Sequence, residues 1–378
     1  MKYYIIAGEA SGDLHGSNLV KEICKLDADA NIRAWGGDLM KNAGAEIVKH
    51  YKELAFMGFI EVVKNLSTIL DNLKFCKKDI EQFQPDVLVL VDYPGFNLRI
   101  AKWAKQQGLR IIYYISPQVW AWKESRVKSI RKLVDRMLVI LPFEKEFYNK
   151  WDYKVEYVGH PLVQVVDEFD KKNVPLKTTH SGQTNIQKPI IALLPGSRKQ
   201  EIEIKLPLML EASKQFPNYR FIVAQAPGQQ VSFYEKIVAA YSNVEICFQG
   251  QTYTLLSQAK AALVTSGTAT LETALFAVPQ VVCYKGSSIS YQIAKRLIKV
   301  KYISLVNLIM DKLVVKELIQ NELNVDNIVT ELNNILHDRE RIEQIKKDYA
   351  DLKDLLQKES NASARAAQEI IGFLQTSA

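Results

Sequence analysis

Apolar residues along this chain follow two alternating rhythms. Tyr3–Ala7, Val87–Val91, Ile111–Ile115 and Met137–Ile140 are short runs with little polar interruption. They read as strands covered on both faces, because a strand with one wet face would alternate with period two. Between them, Leu14–Leu26, Ser67–Phe83 and Leu98–Gln107 repeat their apolar residues at helical spacing. A polar stretch at 171–188 reads as a linker or long loop. A second series then begins, with strands at Ile190–Leu194, Phe221–Ala224, Ala261–Thr265 and Gln280–Cys283, and from Asn324 onward the pattern is helical, ending in an amphipathic stretch at Ala362–Leu374. Repeated βα order predicts an α/β fold: two Rossmann-like, doubly wound domains facing a cleft, with a helical C-terminal region. The expected bounds are 1–170, 188–345 and 346–378, the last set of helices folding back on the first domain or on a dimer partner.

Composition narrows this only a little. The chain has 378 residues, room for two sizeable cores, and a formal charge of +7 that suits anionic partners without selecting among nucleic acid, phosphorylated substrates and acidic lipid. Cys24, Cys76, Cys247 and Cys283 lie far apart in apolar segments, which points to buried thiols in a reducing compartment. No apolar run approaches the ~18 residues of a membrane span, no secretory signal is seen, and the histidines show no metal-ligand spacing.

Candidate chemistry sits where predicted strands end. GEASGDLHG, residues 8–16, follows the first strand but lacks the G-x-G-x-x-G of a dinucleotide loop; its place suits a ligand, with Asp13 as an N-cap for the next helix. Asp92 ends a strand and is placed to act as a general base; helix capping is the competing role, and Asn97 fits that better. In SPQVWAW, residues 116–122, the tryptophans either line a sugar-stacking wall or anchor packing. Gly196, Ser197 and Arg198 follow a strand and open a helix, offering N–H groups and a guanidinium to a phosphate, against the reading of a plain turn with a surface arginine. Ser266, Gly267 and Thr268 repeat that arrangement, and Glu272 is placed either to bind a ribose or simply to favour the first helical turn. Finally, Leu54–Val63 is apolar apart from Glu61. It reads equally as a buried helix or as a surface patch of Phe56, Met57, Phe59, Ile60 and Val63, rimmed by Lys49, Lys52 and Lys64, that enters an anionic membrane.

Taken together, these segments resemble the lipid-A-disaccharide synthases, a family of inverting glycosyltransferases. The resemblance is carried by GEASGD at 8–13, ELAFMGFIEV at 53–62, Asp92 with Pro94 and Phe96-Asn97, SPQVWAW at 116–122, LPFEK at 141–145, GHP at 159–161, LPGSR at 194–198, SGTATLE at 266–272, AKRLIK at 294–299, YISLVN at 302–307 and VKELIQ at 315–320, in family order over nearly the whole chain. It implies a GT-B architecture and transfer of 2,3-diacylglucosamine from UDP-2,3-diacylglucosamine to 2,3-diacylglucosamine 1-phosphate. It places Asp92 as the base, with His15 and Asp13 as secondary candidates. UDP-sugar binding falls to Gly196, Ser197, Arg198, Ser266, Gly267, Thr268, Glu272, Asn307 and Glu317. The acceptor side comprises Glu9, Ser11, Gly12, Asn97, Ser116 and Trp120. The resemblance implies no cofactor, metal or nucleic acid, a cytoplasmic protein held peripherally at the anionic inner membrane, and a homodimer. The chain departs from the pattern at Gly95, where some relatives carry Asp, and in YISLVN, where a Pro often precedes the Asn. A GT-B-like epimerase or transferase acting on a soluble UDP-sugar, and a non-catalytic binding protein, are the rival readings.

Overall fold

The computed structural model describes residues 1–54, 66–169, 175–179, 188–286, 291, 300–357 and 361–376. The chain divides into two compact units, one formed by residues 1–161 with 358–378 and the other by 162–357.

In the first unit, strands β1 (Lys2–Ala7), β2 (Asn31–Gly36), β3 (Glu46–His50), β4 (Val87–Val91), β5 (Ile111–Tyr114), β6 (Arg136–Val139) and β7 (Glu156–Tyr157) form one parallel sheet in the order β3-β2-β1-β4-β5-β6-β7. Its helices are α1 (Ala10–Leu26), α2 (Asp38–Asn42), α3 (Leu66–Phe83), α4 (Pro94–Gln106), α5 (Val119–Trp122), α6 (Val127–Leu133) and α7 (Glu144–Asn149). Every side chain of β4 is buried, as unbroken Val-Leu-Val-Leu-Val demands of a central parallel strand.

Helix α8 (Pro161–Glu168) carries the chain into the second unit. There β8 (Ile190–Leu194), β9 (Arg220–Ala224), β10 (Val244–Cys247), β11 (Ala259–Thr265), β12 (Gln280–Tyr284) and β13 (Lys316–Ile319) form a parallel sheet in the order β10-β9-β8-β11-β12-β13. Around it lie α9 (Lys199–Ser213), α10 (Val231–Val238), α11 (Thr252–Gln258), α12 (Thr268–Leu275), α13 (Leu305–Met310), α14 (Val325–His337) and α15 (Arg339–Gln357). The last described helix, α16 (Ala362–Thr376), belongs to the first unit and packs on α1. The sequence reading set its bounds at 170 and 346, whereas the contacts divide the chain at 161 and 357, leaving α15 wholly in the second unit.

Both sheets run outward in opposite senses from a central pair, β1 and β4 in one and β8 and β11 in the other. Ligands of doubly wound sheets bind at the carboxyl ends of such a pair, where the chain departs to opposite faces. GEASG follows β1, Asp92 follows β4, LPGSR spans the end of β8, and SGTATLE follows β11.

Candidate active site

In the first unit the carboxyl end of β4 is held in a strained form. Asp92 and Tyr93 both adopt the left-handed region, with φ of 44° and 49°. The strain is fixed from behind: the Asp92 carbonyl accepts from Tyr113 Oη at 2.6 Å and from Asn97 Nδ2 at 2.7 Å. The result presents the Asp92 side chain, only partly buried, at the switch point of the sheet. Burial and the nearby Glu9 carboxylate, with a smaller push from Glu144, raise its pKa from 3.8 to about 7.

The expected cap at Asn97 is corrected here. Helix α4 starts at Pro94 with Tyr93 as its N-cap, so Asn97 lies inside the first turn, fully buried. Its amide also reaches the carbonyls of Ile6 and Val91 at 3.4 and 3.3 Å, tying the ends of β1 and β4 together. Asp13 likewise does not cap its own helix, since α1 begins at Ala10 with Glu9 as N-cap. Instead its carboxylate accepts from Gly37, Leu39 and Met40 backbone N–H groups and so caps α2.

The glycines of GEASGDLHG clear space for packing. A Cβ on Gly8 would lie 2.3 Å from the Tyr93 ring, and one on Gly12 would lie 3.1 Å from Ala7 Cβ. They let Tyr93 fold over the loop and α1 settle against β1, close to Asp92. Ser11 is partly exposed beside them.

Glu144 is the residue that sequence reasoning passed over, although LPFEK contains it. Fully buried at the start of α7, its Oε2 accepts from the Ile140 and Leu141 N–H groups at 3.2 and 2.9 Å. Its Oε1 accepts a short hydrogen bond from Ser116 Oγ and one of 3.3 Å from Trp120 Nε1. It therefore staples the loops after β5 and β6, and Ser116 and Trp120 serve that staple, Trp120 also packing edge-on against Phe143. Burial lifts Glu144 to about 7. Its place, directly after the apolar run Leu141-Pro142-Phe143 and just past a predicted strand, was the available signal.

His15 is buried, its Nδ1 has no hydrogen-bond partner, and desolvation lowers its pKa to about 4. His160 nearby is lowered to about 3 by burial and by His15. Both imidazoles are neutral at pH 7.

A pH prediction follows from Asp92. Its folded pKa lies above its ordinary 3.8, so the folded state binds the proton more tightly. The stability this gives is complete below about pH 4 and lost as pH rises through about 7. Asp92→Asn should therefore melt higher than the parent at pH 8, the gap narrowing toward pH 4, in a series of thermal melts.

In the second unit two loops flank the switch point. Gly196 has φ of +126° and Gly267 +137°, values that favour glycine, and helices α9 and α12 begin just beyond them without a side-chain cap. Ser197, Arg198, Gly267 and Thr268 are exposed, so two hydroxyls, a guanidinium and the starts of two helices are open to solvent. Such an arrangement receives anions. Ser266 Oγ donates to the Ile303 carbonyl at 2.8 Å. Glu272 is partly buried, accepts from Tyr253 Oη at 2.9 Å and is raised by desolvation.

Asn307 and Glu317 build the loop rather than project from it. Asn307 donates to Glu317 Oε1 at 2.9 Å and accepts from the Val314 and Val315 N–H groups. Glu317 accepts from the Ile303 and Ser304 N–H groups and from Ser304 Oγ at 2.7 Å. Through Ile303 this network positions Ser266.

The family model for lipid-A-disaccharide synthetase matches residues 3–371. This chain belongs to that family. It is 38% identical over 356 residues to the lipid-A-disaccharide synthase of Geobacter metallireducens, covering 93% of this chain and 92% of that one. It is also 38% identical over 364 residues to lipid-A-disaccharide synthase 1 of Legionella pneumophila, with the same coverage. Among solved structures its fold is similar to that of a UDP-GlcNAc 2-epimerase from Neisseria meningitidis bound to UDP-GlcNAc, with a TM-score of 0.67 at 13% identity over 98% of this chain and all of that one. A calicheamicin glycosyltransferase gives 0.61 at 16% identity over 99% and 98%. The fold class is thus GT-B, and as a member of the lipid-A-disaccharide synthase family this chain is a glycosyltransferase of lipid A disaccharide synthesis.

Proposed function

We propose that this synthase transfers 2,3-diacylglucosamine from UDP-2,3-diacylglucosamine to 2,3-diacylglucosamine 1-phosphate with inversion, giving the β-1,6-linked disaccharide 1-phosphate and UDP. The observation that carries the chemistry is Asp92, a partly exposed carboxylate at a switch point with a pKa raised to about 7. A base so poised is ionised often enough to act and basic enough to take a hydroxyl proton. Asp92 removes the proton of the acceptor 6-hydroxyl as that oxygen attacks the donor's anomeric carbon. The bond from this carbon to the diphosphate breaks, and its electron pair leaves with UDP. Arg198, with the N–H groups after Gly196 and Gly267, neutralises the charge growing on the diphosphate. Glu9 keeps Asp92 basic, Ser11 lies where an acceptor hydroxyl can be oriented, and Gly12, Asn97, Ser116 and Trp120 hold the acceptor side in shape. Glu272 is the ribose ligand, and Asn307 and Glu317 set the loop bearing Ser266. Incubating the pure protein with both diacylated substrates and identifying the product by mass tests the reading. Binding of the donor with no release of UDP would replace it with the binding-protein reading, and a product formed from UDP-GlcNAc alone with the epimerase reading.

The membrane segment, Phe56 to Val63, lies outside the described residues. Support for a membrane role comes from its neighbour: on α3, directly downstream, Leu70 and Phe75 are 50% and 47% exposed. Among the described residues no helix is long and apolar enough to cross a membrane. We place the synthase peripherally on the cytoplasmic face of the inner membrane. Apolar surface in the interface recovers ~25 cal/mol per Å², and each rimming lysine adds ~1 kcal/mol near anionic lipid, weakened by salt. A Met57→Ser, Phe59→Ser variant is expected to fold normally, to bind anionic vesicles less, and to lose more activity on long-chain than on short-chain substrates. Co-sedimentation and a thermal melt check this; unfolding would mark the segment as core.

A further inference from the structure

Lys205 is 3% exposed, on the inner side of α9, an unusual place for an ammonium group. Its Nζ donates a short hydrogen bond to Thr265 Oγ1 and lies 3.9 Å from Glu201 Oε2. Thr265 is the last residue of β11, just before Ser266 and Gly267. Glu201 stands in the first turn of α9, its Oε1 3.6 Å from Arg198 Nη1 and its Oε2 so close over Gly196 that a Cβ there would lie 2.5 Å away. A chain of contacts, Arg198 to Glu201 to Lys205 to Thr265, thus joins the two anion loops from beneath.

We propose that Lys205 is a positioning residue of this site, which locks the two loops in register and takes over the Glu201 carboxylate when a diphosphate draws Arg198 away. In the present structure Glu201 occupies Arg198 as an anion would. An entering diphosphate competes for that guanidinium, and the displaced carboxylate would then face a like charge across the loop. The buried ammonium is the group that can hold it. Burial lowers the Lys205 pKa, and the nearby Glu201 carboxylate opposes that shift. The inference rests on these loops being the UDP site.

Calorimetry with UDP tests it. Lys205→Met keeps the apolar stem and should weaken UDP about tenfold, since a charge-assisted contact supports Glu201. Glu201→Gln should tighten UDP several-fold by releasing Arg198. The double variant should return to near the parent affinity, which mere loss of packing at Lys205 would not allow. Parent-like affinity for Lys205→Met, or a double variant as weak as Lys205→Met, would overturn the inference alone. Absence of UDP binding by the parent protein would overturn the donor reading and the inference with it. Glu201→Gln leaves Lys205 in place, so its result stands whether or not Lys205→Met folds, and weaker binding there would also overturn the exchange.

Discussion

Asp92→Asn is expected to lower turnover by roughly 10²–10⁴-fold while leaving UDP affinity unchanged. The amide has the shape of the carboxylate, and asparagine accepts the left-handed φ of 44° as readily as aspartate. The Tyr113 and Asn97 bonds go to the main-chain carbonyl, so they survive the change. Only the proposed base is lost. The anion loops belong to the other unit, which is why binding and chemistry should separate. With the parent protein, kcat/KM should fall on the acid side of about pH 7, as the carboxylate takes up its proton, and this limb should vanish from the variant's residual activity. Turnover near the parent level would return Asp92 to a structural role and turn attention to Glu9.

Arg198→Ala is expected to weaken UDP by ~1.5–3 kcal/mol, roughly ten- to a hundredfold, the usual loss for a charge-assisted contact to phosphate. Stability should barely move. The side chain is 52% exposed and its ion pair with Glu201 spans 3.6 Å, a geometry worth little in water. Calorimetry and a melt on the same preparation decide the matter, and unchanged UDP affinity in a folded variant would move the phosphate site elsewhere.

Strands without charges were legible in the sequence. Val87–Val91 and Ile190–Leu194 match β4 and β8 residue for residue, because nothing polar interrupts them. Sequence reading did not resolve β2, β3, β7, β10 and β13. Three of them, β2, β10 and β13, each carry a charged residue that is satisfied by tertiary structure. Arg33 in β2 forks onto Asp79, Glu245 in β10 pairs with Arg220, and Glu317 in β13 takes the Ser304 loop. Local pattern reads such a residue as exposed, and the partner that overrules it lies from 13 to 46 positions away. The site divides in the same way. Asp92, LPGSR and SGTATLE were legible because they end recognisable strands. Asp13, Asn97 and Glu144 were not, since their work depends on which backbone groups the fold brings within reach.

The docking of α16 on α1 has a bearing on biosynthesis. A ribosome delivers the chain from its N-terminus, and the second unit, continuous from 162 to 357, can condense as it emerges. The unit carrying Asp92 cannot, because its last helix is translated only after the whole of the second unit. Until then α1 holds an uncovered apolar stripe beside the candidate acceptor loop. A nascent chain that stops short of α16 would therefore display a folded second unit and an unfinished first one, a form that proteases and chaperones can tell from a chain in which both units are folded.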